Sequence, residues 1–295
     1  GVQNGIERVS KIMMPILIVL SVIIAVYSVT RPGALAGVKY FLVPNVKNFS
    51  WMTVVSAMGQ MFYSLSIAMG ILITFGSYMK KDTAIEDSTR NVEVFDTGIA
   101  IMAGLMIIPA VFAFSGGDPD TLQAGPSLMF ITIPKVFQNM GFGTVIGIVF
   151  FLLVLFAAVT SSIALTESAV STFEDELGWG RKKATVLVGV IMLALGSLSS
   201  LGYGPLAGIK IIGMQFLDLF DFLTNSVMMP IAALLTSLFV SRVVGIDKIE
   251  EEIIHGESAF RRKKVFVVMI KYLCPVFAII ILLSSVANAL GWIKM

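Results

Sequence analysis

The sequence is poor in the residues that build disulfide frameworks and Cys/His metal centres, because it holds one cysteine, Cys274, and one histidine, His255. A single cysteine leaves no disulfide partner within the chain, and one histidine beside it cannot complete a metal cluster. The net charge of +2 says little about partners, and no motif of a nucleic-acid module is present. No segment holds a nucleophile with a base, so we expect neither a nucleic-acid partner nor an enzyme.

Charged residues are scarce as well. They make up 14% of the chain, against about 25% in soluble domains, whereas 57% of the residues are hydrophobic and the mean hydropathy is +0.91. A helix needs about 20 apolar residues to cross the hydrocarbon core of a bilayer. We therefore predict an all-α integral membrane protein with seven transmembrane helices, at roughly 12–29, 51–79, 95–115, 143–173, 183–201, 212–241 and 265–290.

The lysine and arginine residues fall mostly on one side of these spans. That side carries the clusters at 80–81, 181–183 and 261–264, whereas the other side carries single residues such as Lys47 and Lys135. Because excess positive charge marks cytoplasmic loops, we predict a multi-pass protein of the cytoplasmic membrane. The N-terminus of this chain would lie in the cytoplasm and its C-terminus outside the cell.

Two loops on the predicted outer side have apolar character. Residues 31–49 carry two prolines, and the second half of 116–140 is apolar. An apolar loop of this length packs back onto the helices and acts as a lid, or lies as a surface helix in the membrane interface. We expect a lid at 116–140 and keep the surface helix as the alternative.

The second span contains "MGQMFYSLSIAMG", in which Gly59 and Gly70 flank Ser64 and Ser66. Glycine disfavours a helix by about 1 kcal/mol. A broken helix is tolerated within a membrane only where it lines an enclosed cavity, as it does in secondary transporters. A packing face made of small residues fits the same pattern.

Two further patterns are open to two interpretations. Gly5 and Pro15 bracket the start of the first span, where they allow the helix end to unwind or only to kink. The carbonyl of Ala157 and the hydroxyls of Thr160 and Ser161 share one helix face. These oxygens would form half of a small cation site, or the hydroxyls would bond to their own helix.

Several motifs together resemble one family, the bacterial branch of the neurotransmitter:sodium symporters. They occur in order along the chain: "GIERVSKIMMP", "PGALAGVKYFLVP", "GQMFYSLSIAMG", "DTGIAIMAGLMIIPAVFAF", "GPSLMFITIPKVF", "FFLLVLFAAVTSSIAL" and "FEDELGWGRKKA". The resemblance implies a leucine-transporter-like inverted-repeat bundle with a broken helix, of which this chain is similar to helices five to eleven. Because the sequence opens at Gly1 in an amphipathic stretch, we expect it to be a fragment, and we expect the missing N-terminal helices of the same protein to be its partners.

The resemblance also implies binding residues. Tyr63 would cover the substrate, Ser66 would lie beside it, and Met69, Ser161 and Leu165 would line its pocket. Two sodium ions are expected, and their ligands would be Ser64 and Asp96 in the first site and Ala157, Thr160 and Ser161 in the second. The Asp96 carboxylate is similar to the negative charge that chloride supplies in chloride-dependent relatives, so we expect no need for chloride.

Gate residues follow from the same resemblance. Asp221 would be the outer-gate acid, Asp175 with Tyr78 would belong to the inner gate, and the 5–15 segment would be a hinge. Three other acids at helix ends are expected to be solvated and without a role: Asp218, Glu174 and Glu176.

The function that we expect is sodium-coupled symport of a neutral amino acid, with a hydrophobic or aromatic side chain, by alternating access. One alternative is a proton-coupled transporter of the same fold, with Asp96 or Glu167 carrying the proton. The other is a membrane partner or remnant that does not transport, because the first four helices are not in this chain.

Overall fold

A computed structural model describes residues 8–117, 125–139, 141–257 and 259–292 of the chain. The described residues are almost entirely helical, and their only β-type pairing is an isolated bridge between Ile211 and Met214. The prediction of an all-α protein is therefore confirmed. The helices are α1 (Arg8–Val29), α2 (Ala34–Leu42), α3 (Trp51–Ser64), α4 (Ile71–Ser77), α5 (Ile85–Ser115), α6 (Leu128–Gln138), α7 (Gly143–Leu177), α8 (Arg181–Leu201), α9 (Phe216–Val244), α10 (Ile246–Gly256) and α11 (Lys263–Ala289).

Six of these helices are long and apolar enough to cross a membrane, namely α1, α5, α7, α8, α9 and α11. Each of them overlaps one of the predicted spans. The remaining prediction, 51–79, corresponds to α3 and α4, which are 14 and 7 residues long. Neither is long enough to span a bilayer alone, so the seventh crossing remains a prediction that depends on both halves.

Three apolar helices, α6, α9 and α11, contain a π-helical turn just before a proline. The turns Leu128–Thr132, Phe222–Met228 and Met269–Leu273 each end two residues before the proline. The prolines are Pro134, Pro230 and Pro275. Proline has no backbone N–H and its ring clashes with the carbonyl four residues earlier, so the preceding turn widens instead of continuing as an α-helix.

The chain divides into two compact units. The first comprises Gly1–Phe49 with Val94–Ile163, and the second comprises Ser50–Glu93 with Ala164–Met295. Helices α5 and α7 each contribute one part to each unit, because the divisions fall within them.

The first unit has its hydrophobic core between α1, α5, α6 and the first part of α7. Ile24, Met106, Ile133 and Phe150 are among its buried side chains. The hydroxyl of Ser28 donates to the carbonyl of Met106 at 2.7 Å, so the buried polar group is satisfied.

Helix α6 is the described part of the predicted outer lid. Its residues Ile133, Val136 and Phe137 are at most 3% exposed, and the Phe137 ring lies edge-on to Phe150 with 5.4 Å between centroids. Burying each such side chain stabilises the contact by about 1.5–3 kcal/mol. Ile133, Val136 and Phe137 thus pack into the core of the first unit, whereas 118–124 and 140 lie outside the described residues. The lid function stays a prediction.

The second unit contains two smaller clusters of buried residues. Phe62 of α3 packs with Met229 of α9 and Ile281 of α11. Val170 of α7 packs with Ala184 and Val188 of α8. The first half of the broken helix is thus held by α9 and α11, near the middle of each of those helices.

Charged groups join the start of α5 to the loop between α10 and α11. The Glu257 carboxylate accepts hydrogen bonds from the backbone N–H groups of Glu86, at 2.6 Å, and Asp87, at 3.3 Å. In return the Glu86 carboxylate accepts the backbone N–H of Arg261 at 2.9 Å. Acidic groups at a helix N-terminus satisfy its free N–H groups and favour its dipole. We call this set the α5 clasp: Glu86, Glu93, Glu257, Arg261 and Arg262, of which Arg262 pairs with Glu93 at 2.8 Å.

Candidate functional site

The broken helix is the structural centre of the second unit. Helix α3 ends at Ser64 and α4 begins at Ile71, and residues 65–70 between them form turns. Three residues of this segment have a left-handed backbone, Ser66 at φ 54°, Ala68 at φ 63° and Gly70 at φ 78°. The break that was expected around Ser66 is therefore present. Gly59 lies within α3, so only Gly70 stands at an edge of the break.

Within the part of the chain that the structure describes, the break leaves backbone carbonyls without partners. Within the described residues the N–H groups of Leu65, Ser66 and Ile67 still bond back to α3. The carbonyl oxygens of residues 65–68 accept no hydrogen bond there, and the next backbone bond of the ladder runs from Thr74 to Gly70 at 2.9 Å. In hydrocarbon such carbonyls are costly unless a ligand, water or another chain segment provides a donor or a cation.

The predicted substrate residues of the second unit lie on or near this break. Tyr63 and Leu165 are 52% and 49% exposed, and Ser66 is partly exposed. Met69 is partly buried and packs against the cluster of Phe62, Met229 and Ile281. Ser64, the predicted ligand of the first sodium site, is the last residue of α3.

The remaining predicted sodium ligands belong to the first unit. Asp96 lies in α5, and the other three residues share one turn of α7. The Thr160 hydroxyl donates to the carbonyls of Ala157, at 2.9 Å, and Phe156, at 3.1 Å. The hydroxyl thus bonds to its own helix, which was one of the two interpretations of the sequence. Because the hydroxyl donates its proton in these bonds, the lone pairs of the Thr160 oxygen stay available to a cation. The Ser161 side chain is exposed.

A buried ionic cluster near the end of α7 was not predicted as a unit. The Glu167 side chain is 5% exposed and forms a charge-assisted hydrogen bond with Arg181 of α8. Its other carboxylate oxygen accepts the Tyr78 hydroxyl at 2.8 Å. Arg181 also lies 3.2 Å from Glu174, an ion pair that the expectation of a solvated acid without a role did not include. Glu167 itself could have indicated this cluster in the sequence, because a carboxylate within an apolar helix needs a partner.

The predicted gate acids are both exposed. Asp175 is at the end of α7 and forms no ion pair among the described residues, whereas Tyr78 of the same predicted gate belongs to the Glu167 cluster. Asp221 accepts a hydrogen bond from Asn225 and lies with Asp218 at an open cavity of about 260 Å³. Burial, together with the nearby Asp218 charge, raises the pKa of the Tyr203 phenol above its ordinary value.

Comparison with known proteins gives a match over nearly the whole chain. The sodium:neurotransmitter symporter family matches residues 1–292. The chain belongs to this family. It is 34% identical over 287 residues to the sodium-dependent transporter YhdH of Bacillus subtilis (strain 168), which is described as uncharacterized. It is 31% identical over 287 residues to a sodium-dependent transporter of Haemophilus influenzae, also described as uncharacterized.

A solved structure supports the fold. The crystal structure of MhsT in complex with L-phenylalanine matches with a TM-score of 0.82 and 35% sequence identity, over 97% of this chain and 64% of MhsT. The two sequence relatives are likewise matched over 97% of this chain, and over 63% and 61% of their own lengths. The chain thus spans less than two thirds of each relative.

Family membership fixes the broad class of the protein. The family is described as one of sodium:neurotransmitter symporters, and the relatives above are described as sodium-dependent transporters, not as enzymes. The six long apolar helices agree with it.

Proposed function

We propose that the protein carrying this chain couples the uptake of a neutral amino acid, with a hydrophobic or aromatic side chain, to the sodium gradient. The observation that carries the proposal is the break at residues 65–70, whose carbonyls at 65–68 have no hydrogen-bond donor among the described residues. Such carbonyls provide the oxygens that a sodium ion and a substrate ammonium group need. The family match supports this use of the break.

Two sodium sites belong to the proposal. Ser64 and Asp96 would contribute to the first site, and the substrate carboxylate would complete it. Ala157, Thr160 and Ser161 would form part of the second. Since the substrate completes one ion site, each ligand raises the affinity for the other, which is the coupling that symport requires.

The pocket residues favour an uncharged side chain. Tyr63, Met69 and Leu165 offer no counter-charge, while Ser66 and Ser161 are small polar neighbours of the substrate backbone. A charged amino acid would therefore be desolvated without compensation. The relative MhsT was solved with L-phenylalanine, which is consistent with this class of substrate.

The transport cycle would use the gates and the lid of the same chain. Asp221 would be the outer-gate acid, the 116–140 segment would be an outer lid, and Asp175 with Tyr78 would close the inner side. Substrate and sodium would be released inward when the predicted hinge, residues 5–15, unwinds. Pro15 of this hinge lies within a continuous α1, and Gly5 lies outside the described residues. The N-terminus of this chain would lie in the cytoplasm and its C-terminus outside the cell.

Uptake of radiolabelled L-phenylalanine into proteoliposomes tests this proposal. An inward sodium gradient should drive accumulation, replacement of external sodium by potassium should abolish it, and replacement of chloride by gluconate should leave it unchanged. Uptake that persists in potassium and follows a proton gradient would favour the proton-coupled alternative. Absence of both uptake and binding across a panel of neutral amino acids would favour a protein that does not transport.

A further inference from the structure

Helix α4, the half-helix after the break, is attached to the later part of α7 by small polar residues. Ser168 and Thr74 are buried, with 7% and 9% of their surface exposed. Thr74 Oγ1 lies 3.2 Å from Ser171 Oγ, and Ser168 Oγ lies 3.5 Å from the carbonyl oxygen of Met69. The Met69 carbonyl therefore has a side-chain partner, whereas the four carbonyls before it have none among the described residues.

The direction of the hydrogen bonds is determined by the serine hydroxyls. Ser171 Oγ donates its proton to the carbonyl of Ser168 at 3.0 Å. A hydroxyl has one proton to donate, so the Ser171 oxygen accepts and the Thr74 hydroxyl donates between α4 and α7.

Gly70 fits against the same serine. A Cβ atom at Gly70 would lie 2.7 Å from Ser168 Oγ, and the φ of 78° at Gly70 disfavours any other residue. Gly70, Thr74 and Tyr78 are spaced four residues apart and so share one face of α4. Tyr78 completes the contact through its hydrogen bond to Glu167.

The first half of the broken helix has different neighbours. Phe62 of α3 packs with α9 and α11, whereas α4 contacts α7 through the polar seam formed by Gly70, Thr74, Ser168 and Ser171. Each half is thus fixed independently of the other. The 65–70 segment lies between these two attachments and its geometry depends on both.

We propose that Ser168 and Ser171 are positioning residues of the substrate site, which act by fixing where α4 begins. Through the polar seam they hold the Met69 carbonyl at the end of the break. This inference rests on the proposed function, because it assigns the effect of the seam to amino-acid binding. It also makes a prediction about α4 that does not depend on transport.

The functional test compares the double variant Ser168→Ala with Ser171→Ala against wild type. Loss of the two hydroxyls should raise the KM for L-phenylalanine about fivefold, since one net hydrogen bond contributes on that scale. The maximal rate per folded protein should stay within about twofold. Ser171→Thr, which keeps the hydroxyl, should retain the wild-type KM. Ser199→Ala is the matched control, because that hydroxyl bonds to the Leu195 carbonyl within α8. An unchanged KM in the double variant overturns the inference.

Hydrogen–deuterium exchange provides the second readout. Amides of α4 should exchange about tenfold faster in the double variant, while amides of α3 remain as in wild type. Unchanged exchange in α4 overturns the attachment itself. Faster exchange of α4 with an unchanged KM overturns the positioning of substrate. If α4 exchanges faster but the wild type neither binds nor takes up any of a panel of neutral amino acids, the proposed function is refuted instead. The role of the seam in substrate binding is then refuted as well.

Discussion

Ala68 adopts a left-handed backbone conformation, with φ of 63°, although its methyl group disfavours it by about 1–2 kcal/mol. We expect Ala68→Gly to leave the melting temperature in detergent unchanged or slightly raised, because the relief of strain offsets the greater flexibility of the unfolded chain. Ala194→Gly, in the exposed interior of α8, is the control and should lower stability by about 1 kcal/mol. Equal losses in the two variants would contradict the left-handed conformation at residue 68.

Thr160 and Ser161 are the residues on which the proposed second sodium site depends. Replacing both by alanine should raise the sodium concentration for half-maximal uptake on the order of tenfold or more, since even residues that only orient a ligand contribute that much to metal affinity. Thr172→Ala is a suitable control, because the Thr172 hydroxyl bonds to the Ser168 carbonyl further along α7. An unchanged sodium dependence in the double variant would remove this site from α7.

At the scale of elements, the sequence predicted the break but not both of its edges. Gly70 takes the left-handed conformation that only glycine adopts without strain, so its place at the start of α4 is physically required. Gly59 continues α3, since the capped and packed helix tolerates one glycine. Helix α5 begins ten residues before the predicted span. Ion pairs such as that between Arg262 and Glu93 stabilise its charged first turns at 85–93, and a hydropathy pattern does not reveal such pairs.

The α5 clasp yields a prediction at this scale. Glu257→Ala removes the carboxylate that caps the first turn of α5, a change that typically costs about 1 kcal/mol. Amide exchange at Glu86 and Asp87 should therefore accelerate about fivefold. Glu252→Ala on the exposed side of α10 removes the same charge without touching α5, and its exchange pattern should match wild type. Equal acceleration in both variants would show that the effect comes from net charge.

At the scale of the whole molecule, the sequence predicted the fold class and family, whereas the contacts that hold charged groups needed the structure. Glu86 and Glu257 are 171 residues apart in sequence. Glu167 reaches Tyr78 across 89 residues, and neither pairing leaves a local pattern. The predicted sodium ligands also leave no local pattern. The resemblance assigns Ser64 and Asp96 to one sodium site, whereas the two residues belong to different units of the structure. Local periodicity determines helices, but long-range pairing depends on tertiary packing.

The orientation of the chain in the membrane can be tested directly. The excess of lysine and arginine on one side predicts that 80–81 and 181–183 face the cytoplasm, whereas Lys47 and Lys210 face outward. The single native cysteine makes this testable after Cys274→Ser, with Lys47→Cys, Lys210→Cys, Lys81→Cys and Lys182→Cys introduced one at a time. An impermeant maleimide added to intact cells should label the first two variants. The other two should react only after the membrane is permeabilised, and labelling of Lys81→Cys in intact cells would reverse the orientation.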